Sequence, residues 1–257
     1  MKNTNKMNLA LVLSGGAARG AFHLGILAYL EDNDIEINAY SGSSIGSIIS
    51  CSHASGIKAR NILEIFQSKE IKKVLKFNYF KKGLLRIDEK HPLLKELLPI
   101  KRLENIPKKV FVNAYDITSK RLFYFEKGDS HKLCLASSAL TPIFKPIHYK
   151  NYNLIDGGLF DNIPIKPLEN KEYNIFSIDL MPKSLTERKR KFNPIRSLKK
   201  KIFTTRFENA IYSKEHSNTY ITHERLRDID MFTFKGLKET FDFGYEEAEK
   251  YFINNKM

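Results

Sequence analysis

The residues of this chain best suited to chemistry form the pentapeptide Gly42-Ser43-Ser44-Ile45-Gly46, which has the pattern G-x-S-x-G. A short strand is predicted just before it, at 38–41, and an apolar helix just after it. Between a strand and a helix this pattern makes a sharp turn that lifts the middle hydroxyl out of the backbone. Ser44 is therefore a candidate nucleophile beside a helix N-terminus that favours negative charge. The pentapeptide alone is equally consistent with an ordinary Gly/Ser turn.

A serine hydroxyl is a poor nucleophile at neutral pH, so Ser44 needs a base and donors for an oxyanion. The loop Gly15-Gly16-Ala17-Ala18-Arg19-Gly20 lies between a predicted strand, 9–13, and a predicted helix, 21–32. Its residues are small, so their backbone N–H groups can face a substrate oxygen at the helix N-terminus. Phosphate-loop alternatives fit poorly. A P-loop needs Lys and then Ser or Thr after the last glycine, and a dinucleotide fingerprint needs glycine in place of Ala17. A purely structural glycine turn stays open.

A third motif, Leu154-Ile155-Asp156-Gly157-Gly158, supplies a carboxylate, and Asp161-Asn162-Ile163-Pro164 follows it. An aspartate after a strand and before two glycines sits in a tight turn, where it can face a neighbouring strand end. As a carboxylate, Asp156 can take the proton from Ser44 and return it to the leaving group. A solvated turn is the alternative for this motif alone.

The elements that must position these motifs alternate between strand and helix. Further strands are predicted at 110–118, 121–127, 146–149, 152–155, 173–180 and 229–234. Further helices are predicted at 45–55, 59–67, 89–98, 133–139, 203–222 and 244–254. Residues 69–105 are less regular and are expected to form a partial cover over the active-site mouth, or else plain surface structure. The alternation predicts one α/β domain, 1–257, with a mostly parallel sheet.

The composition indicates a globular protein. The chain has 257 residues, 42% of them hydrophobic, with 18 Phe and 12 Tyr, which excludes a disordered or fibrous chain. The two cysteines, Cys51 and Cys134, lie in apolar runs and are predicted to be buried free thiols, so a reducing, cytoplasmic location is expected. No segment approaches the roughly 18 apolar residues of a membrane span. The apolar run at 9–13 is too short for a signal peptide, although export without a cleavable signal stays open.

The net charge of +14 points to an anionic partner. Basic residues cluster at 188–201, a segment suited to anionic lipid head groups, to nucleic acid phosphates, or simply to solvent. No nucleic-acid-binding motif accompanies the cluster, so peripheral contact with an anionic membrane is preferred and no nucleic acid is expected.

Together and in this order, the motifs resemble the patatin-like phospholipase family. The resemblance runs from about Leu9 to Asp179 and includes Ala136-Ser137-Ser138-Ala139, followed by Pro142 and Phe144. It implies a three-layer α/β/α sandwich of the patatin-like type. The motif-bearing core would span about 9–179, and a basic and helical C-terminal part would span 183–257.

The resemblance also implies a Ser-Asp dyad, with Ser44 as nucleophile and Asp156 as general base. The backbone N–H groups of Gly15, Gly16 and Ala17 would form the oxyanion hole, with Arg19 closing the loop. The remaining motif glycines would support these turns: Gly20, Gly42, Gly46, Gly157 and Gly158. Many family members carry a third glycine where this chain has Ala17, a departure expected to be harmless because only the N–H is needed.

The implied activity is that of a lipid acyl hydrolase, a phospholipase A or lysophospholipase acting on phospholipid or lysophospholipid without a metal or other cofactor. One alternative is a Ser-Asp-His triad that uses His216 or His223, in the chain order of α/β-hydrolases. Another is a lipid-binding or interaction protein on the same fold. His23 is expected to be a packing or capping residue of the first helix, and the other histidines match no catalytic pattern: His53, His91, His131 and His148.

Overall fold

One mixed sheet organises the part of the chain that the computed structural model describes, namely residues 8–70, 75–76, 86–87, 91–141, 143–169, 171–182, 208–231 and 235–254. Its strands are β1 (Leu9–Leu13), β2 (Ile37–Gly42), β5 (Lys109–Asp116), β6 (Arg121–Phe125), β7 (Ile147–Tyr149), β8 (Tyr152–Asp156), β9 (Asn174–Ile178) and β10 (Thr219–Ile221). A separate antiparallel pair consists of β3 (Leu75–Lys76) and β4 (Arg86–Ile87).

Helices pack on both faces of the sheet. They are α1 (Gly20–Asp32), α2 (Ile45–Ala54), α3 (Ala59–Gln67), α4 (Pro92–Leu97), α5 (Ser130–Ser137), α6 (208–215) and α7 (Leu237–Asn254). Short 3-10 turns lie at Ala17–Arg19, Leu103–Asn105, Gly157–Leu159, Lys166–Leu168 and Glu224–Arg227.

The strand order brings the three sequence motifs to one edge of the sheet. The order is β10-β9-β1-β2-β5-β8-β7, with β6 also paired to β5, and neighbours from β10 to β5 run parallel. Leu13 of β1 therefore lies level with Gly42 of β2, and both strands end at the same edge. The strand β8 returns antiparallel to β5, which places Asp156 opposite Ala114. The loops after β1, β2 and β8 consequently meet.

Alternation along β1 divides the interior into two layers. Its three leucines point into the larger core, which α1, α2, α3, α5 and α7 cover, while Ala10 and Val12 point into a smaller one. The smaller core contains Ile163 and Ile165, and Tyr212 of α6 packs against it. Continuous burial of β1 is what a parallel strand covered on both faces requires. The predicted three-layer α/β/α fold with a mostly parallel sheet is confirmed.

The C-terminal helix is in backbone contact with the first helix. A β-carbon at Gly25 of α1 would lie 2.0 Å from the Phe241 carbonyl oxygen, and one at Gly244 of α7 would lie 2.2 Å from the Phe22 oxygen. Only glycine permits so close an approach. The helix α7, which was predicted only from 244, begins at Leu237 because these contacts and the Phe22–Phe243 ring pair stabilise its first turns.

Two predicted elements are wrong over the residues that the structure describes. Of the helix predicted at 203–222, the described residues are helical only at 208–215, and Thr219–Ile221 instead form β10 at the sheet edge. Asn218 ends the helical stretch by accepting a hydrogen bond from the Ile175 N–H at 2.8 Å, which aligns the chain with β9. The strand predicted at 229–234 is irregular over 229–231, where backbone carbonyls bond to the loop after β1.

Some predicted features lie outside the described residues. The basic cluster 188–201 does, and so does most of 71–90, in the segment expected to cover the site. Within the described ranges, no helix is both long enough and apolar enough to cross a membrane.

The two cysteines are buried free thiols, as predicted. Their sulfur atoms lie 3.5 Å apart, between α2 and α5. The hydrogen bond between them and their burial together raise the pKa of the Cys51 thiol, so it is protonated at neutral pH.

Candidate active site

Ser44 occupies a strained turn between β2 and α2. Its backbone has φ 51° and ψ −123°, a conformation that residues with a side chain rarely adopt. The turn is tight enough that a β-carbon at Gly46 would lie 2.1 Å from the Leu13 carbonyl oxygen, which explains the last glycine of the pattern. The Ser44 N–H donates to the Ser137 hydroxyl at 2.8 Å. The predicted strand-to-helix elbow is thus present, with Ser44 at its apex.

The glycine loop after β1 lies directly against this elbow. A β-carbon at Gly15 would be 3.0 Å from the Ser44 β-carbon. None of the described residues accepts a hydrogen bond from the N–H of Gly16 or Ala17, whereas the Gly15 N–H donates to the Asn162 carbonyl at 3.4 Å. Gly16 and Ala17 are therefore the most available oxyanion donors, and Gly15 is the least available of the three predicted.

Ala17 carries a conformational cost that the sequence did not reveal. Its φ is 50°, in the left-handed region where a β-carbon costs roughly 1–2 kcal/mol. The departure from glycine leaves the N–H available but strains the loop, so it is not neutral.

Arg19 fixes the loop from behind. Its guanidinium donates to the carbonyl oxygens of Ile229 at 2.9 Å, Leu180 at 3.1 Å and Arg227 at 3.2 Å. Its backbone N–H donates to the Gly16 oxygen at 3.2 Å. These contacts agree with the predicted closing of the loop and assign Arg19 to positioning, because its donors are directed to the protein backbone.

Asp156 lies at the end of β8, where it is 6% exposed. Its Oδ1 accepts a hydrogen bond from the Gly158 N–H at 2.7 Å, within the tight turn expected for Asp-Gly-Gly. A β-carbon at Gly158 would lie 2.8 Å from the Ser43 hydroxyl and 3.0 Å from the Asp156 Oδ1. The Asp156 turn therefore adjoins the serine elbow, and the fold brings the two predicted catalytic residues to one place.

Three side chains that sequence reasoning left without a role connect these loops. The Asn162 side chain donates to the Gly15 carbonyl at 3.1 Å. Ser137 donates to the Asn113 Oδ1 at 3.3 Å, and the Asn113 amide donates to the Asp161 carbonyl at 2.6 Å. A signal for Asn113 was present, since it is a polar residue inside the apolar run of β5, and it is fully buried.

Asp161 is a second buried carboxylate near the site. Its Oδ2 accepts a hydrogen bond from the Tyr124 hydroxyl at 2.6 Å, and its Oδ1 has no partner among the described residues. Burial raises the pKa of Asp161 to about 6, and the Tyr124 bond only partly offsets this effect. A carboxyl group in such a position gains a proton more readily than an exposed aspartate.

All seven histidines lie in the described part of the chain, and the hydrogen bonds of their rings are to residues other than Ser44. His23 is buried with its Nε2 2.9 Å from the Ser14 carbonyl, and burial lowers its pKa to about 4. The other rings have these hydrogen-bond partners: His53 has Tyr40 and Glu31, His91 the Leu93 N–H, His131 the Leu98 carbonyl, His148 Asn153, His216 the Tyr212 carbonyl, and His223 the Arg225 N–H. No hydrogen bond joins any of these rings to Ser44. Over the same residues, no three His, Cys, Asp or Glu side chains are grouped to hold a metal ion.

The comparisons with known proteins agree with this geometry. The family model described as patatin-like phospholipase matches residues 11–169. Lysophospholipase NTE1 of Debaryomyces hansenii is 30% identical over 64% of this chain and 11% of its own length. Lysophospholipase NTE1 of Lodderomyces elongisporus is 28% identical over 67% and 12%. The chain thus spans only about an eighth of these relatives.

A solved structure shows the same fold. VipD from Legionella pneumophila superposes with a TM-score of 0.61 at 13% sequence identity, over 95% of this chain and 66% of that one. At this identity the likeness concerns the fold alone. The family match, which covers more than half of the chain, carries the assignment: this protein belongs to the patatin-like phospholipase family.

Proposed function

We propose that this protein is a lipid acyl hydrolase, a phospholipase A or lysophospholipase, with Ser44 as nucleophile and Asp156 as general base. The observation that carries the proposal is the strained backbone of Ser44, with φ 51°, at an elbow against which the glycine loop packs. Strain of this kind persists where a nucleophile must be exposed between a strand and a helix.

The arrangement supports a two-step reaction. Ser44 attacks the ester carbonyl while Asp156 accepts its proton, and the carbonyl oxygen becomes an oxyanion held by the N–H groups of Gly16 and Ala17. Asp156 returns the proton to the leaving alcohol, which leaves an acyl-enzyme. Water activated by Asp156 then releases the fatty acid. Loss of one oxyanion donor typically costs about 100-fold or more in kcat.

The substrate class rests on the relatives. Both yeast relatives are named lysophospholipases, and the family is one of phospholipases, so we propose phospholipid or lysophospholipid esters as substrates. The basic cluster 188–201 would add attraction to anionic membranes. We further propose that residues 1–257 form a single domain that works in the cytoplasm, at the membrane surface.

A fluorophosphonate probe, which modifies activated serines, tests this function. The wild type should be labelled at one site, Ser44→Ala should not be labelled, and Ser43→Ala should be labelled like the wild type. Ser43 is a matched control, because its buried hydroxyl has no hydrogen-bond partner among the described residues. Absence of labelling in the wild type, or equal labelling of Ser44→Ala, would refute the proposal.

A further inference from the structure

Two hairpin turns project beyond the catalytic edge of the sheet. The turn 117–120 joins β5 to β6, and the turn 150–151 joins β7 to β8. Since Gly42 pairs with Val112, β5 continues past the end of β2 before it turns. Asp156 is level with Ala114, and Ile117 lies three residues further, or about 10 Å at ~3.4 Å per residue.

Hydrogen bonds join the two turns into one unit. The Ile117 N–H donates to the Asn153 carbonyl at 3.0 Å, and the Asn153 side chain donates to the Thr118 hydroxyl at 3.0 Å. The Asp116 carboxylate accepts from the N–H groups of Asn153 at 2.8 Å and Ser119 at 2.9 Å. We refer to residues 116–121 and 148–153 together as the twin tip.

The only carboxylate of the twin tip is turned inward. Desolvation raises the pKa of Asp116, but its hydrogen bonds outweigh that effect and hold the pKa at about 2. Asp116 is 2% exposed, so its charge is directed to the N–H groups of the turn and contributes little to the surface.

The outer surface of the twin tip combines positive charge with an apolar side chain. Lys120, Arg121 and Lys150 are exposed, and none of the described carboxylates lies within ion-pair distance of them. Ile117 is 43% exposed, and Ile253 is the only other large apolar side chain so exposed in the described part of the chain. This surface therefore favours a partner that presents negative charge at its surface and an apolar layer beneath it.

Both lysines of the twin tip have a strained backbone. Lys120 has φ 55° and Lys150 has φ 52°, in the left-handed region where glycine or asparagine is usual. Of the five residues other than glycine with positive φ among the described residues, two belong to the candidate active site and two are these lysines. Glycine would relieve the strain at either turn, so each lysine adds a cation to this surface at a conformational cost. Within the fold, the Lys150 ammonium lies 5.5 Å from the centroid of the Tyr149 ring.

We propose that the twin tip is a docking surface for an anionic phospholipid bilayer, with Ile117 inserted among the acyl chains and Lys120, Arg121 and Lys150 on the head groups. An exposed isoleucine beside the two turns favours a bilayer over nucleic acid, which offers no apolar layer. The proposal rests on the proposed function only in that the docked bilayer would supply the substrate. Docking would hold Asp156 about 10 Å along the sheet from the inserted Ile117.

Vesicle flotation tests the docking directly. The full chain carrying Ser44→Ala, which leaves the lipids intact, is mixed with phosphatidylcholine vesicles with and without about one third phosphatidylglycerol. Replacing both lysines, as Lys120→Gly with Lys150→Gly, should lower the partition coefficient on anionic vesicles about 25-fold, since each basic residue near such a surface contributes about fivefold. Ile117→Ser should lower it about threefold or more. The double glycine variant should melt at or above the wild-type temperature, because glycine relieves the positive φ.

Matched controls separate this surface from general charge. Lys58→Gln with Lys95→Gln removes two exposed cations near the C-terminal end of α2, which is the end remote from Ser44. The hydrogen bond from Ser52 to the Leu97 carbonyl lies at this end. Ile253→Ser removes an exposed isoleucine from the end of α7. Neither control should reduce binding more than about twofold.

Three outcomes would overturn the docking surface: no binding of the parent chain to anionic vesicles, unchanged binding of the twin-tip variants, or equal losses in the controls. Tighter binding to nucleic acid than to vesicles, lost in the same variants, would overturn it as well. The assay measures binding by a chain in which Ser44 is already replaced, so its outcome does not depend on whether Ser44 is the nucleophile. Conversely, a failed docking test leaves the fluorophosphonate result standing.

Discussion

The hydroxyl of Ser137 holds the serine elbow in its strained form, and its removal is the most informative single change. It accepts the Ser44 N–H at 2.8 Å and donates to the Asn113 Oδ1 at 3.3 Å, and both Ser137 and Asn113 are fully buried. Ser137→Ala leaves the Ser44 N–H without an acceptor at a backbone position that already carries strain.

The size of the effect follows from these contacts. An unpaired buried donor costs about 1–3 kcal/mol, and the longer bond to Asn113 adds about 0.5 kcal/mol. We therefore expect the free energy of unfolding to fall by about 2–3 kcal/mol, and the melting temperature by about 5–10 °C. If the elbow relaxes by as little as ~1 Å, kcat should fall on the order of 100-fold.

Two measurements on folded protein separate positioning from stability. Denaturant unfolding gives the free energy, and the fluorophosphonate labelling rate gives the reactivity of Ser44, well below the melting temperature. Ser138→Ala is the matched control, because the Ser138 hydroxyl bonds to the Cys134 carbonyl at 2.9 Å and its loss strands no N–H group. A Ser137→Ala labelling rate within about twofold of the wild type would refute the idea that this hydroxyl holds the elbow.

Three further changes test other parts of the site. Asp161 has a pKa raised from 3.8 to about 6, so its contribution to stability is present below about pH 4 and lost as the pH rises through 6. In denaturant unfolding, Asp161→Asn should therefore match the wild type near pH ~4 and exceed it by about 1–3 kcal/mol at pH ~8; equal curves at both pH values would contradict this. Ala17→Gly should raise the free energy of unfolding by about 1 kcal/mol by relieving φ 50°, and a destabilised variant would count against strain there. Arg19→Lys should lower kcat on a lipid ester about tenfold or more, because one ammonium cannot replace a planar fork that binds three carbonyls; full activity would show that the loop needs no such support.

Elements with a strong local signal could be predicted from the sequence. The apolar run at β1 and the periodic apolar face of α3 gave the bounds Leu9–Leu13 and Ala59–Gln67 that the structure has. Gly56 lies just beyond α2 and has φ 94°, a conformation that glycine adopts readily at the end of a helix. Each of these features depends on side chains and backbone preferences within a few residues.

The wrong predictions concern elements that distant parts of the chain determine. Thr219–Ile221 has the β-branched and aromatic side chains of a strand and follows Asn218, but a run of three residues becomes a strand only by pairing with the edge of β9. The Ile229 carbonyl accepts a hydrogen bond from the Arg19 side chain, 210 positions earlier, and the Met231 carbonyl accepts one from the Ala18 N–H. These residues therefore do not form a regular strand.

The candidate active site likewise combines features with a local sequence signal and features that depend on distant residues. The elbow at Ser44 and the turn at Asp156 have conformations that their own small residues require, so their motifs could be recognised. The support from Ser137 and Asn113 joins a helix to two strands and has no contiguous pattern. The bond that occupies the Gly15 N–H spans 147 residues and could not be read from the loop itself.

The central claim, a Ser-Asp dyad that hydrolyses lipid esters, is tested most directly by mass spectrometry of lipids after incubation with Asp156→Asn. Wild-type protein should release free fatty acid from phospholipid or lysophospholipid. Asp156→Asn, folded as judged by its melting temperature, should release at least about 1000-fold less, because no other base replaces it. Fatty-acid release by folded Asp156→Asn at a rate near that of the wild type would contradict the dyad.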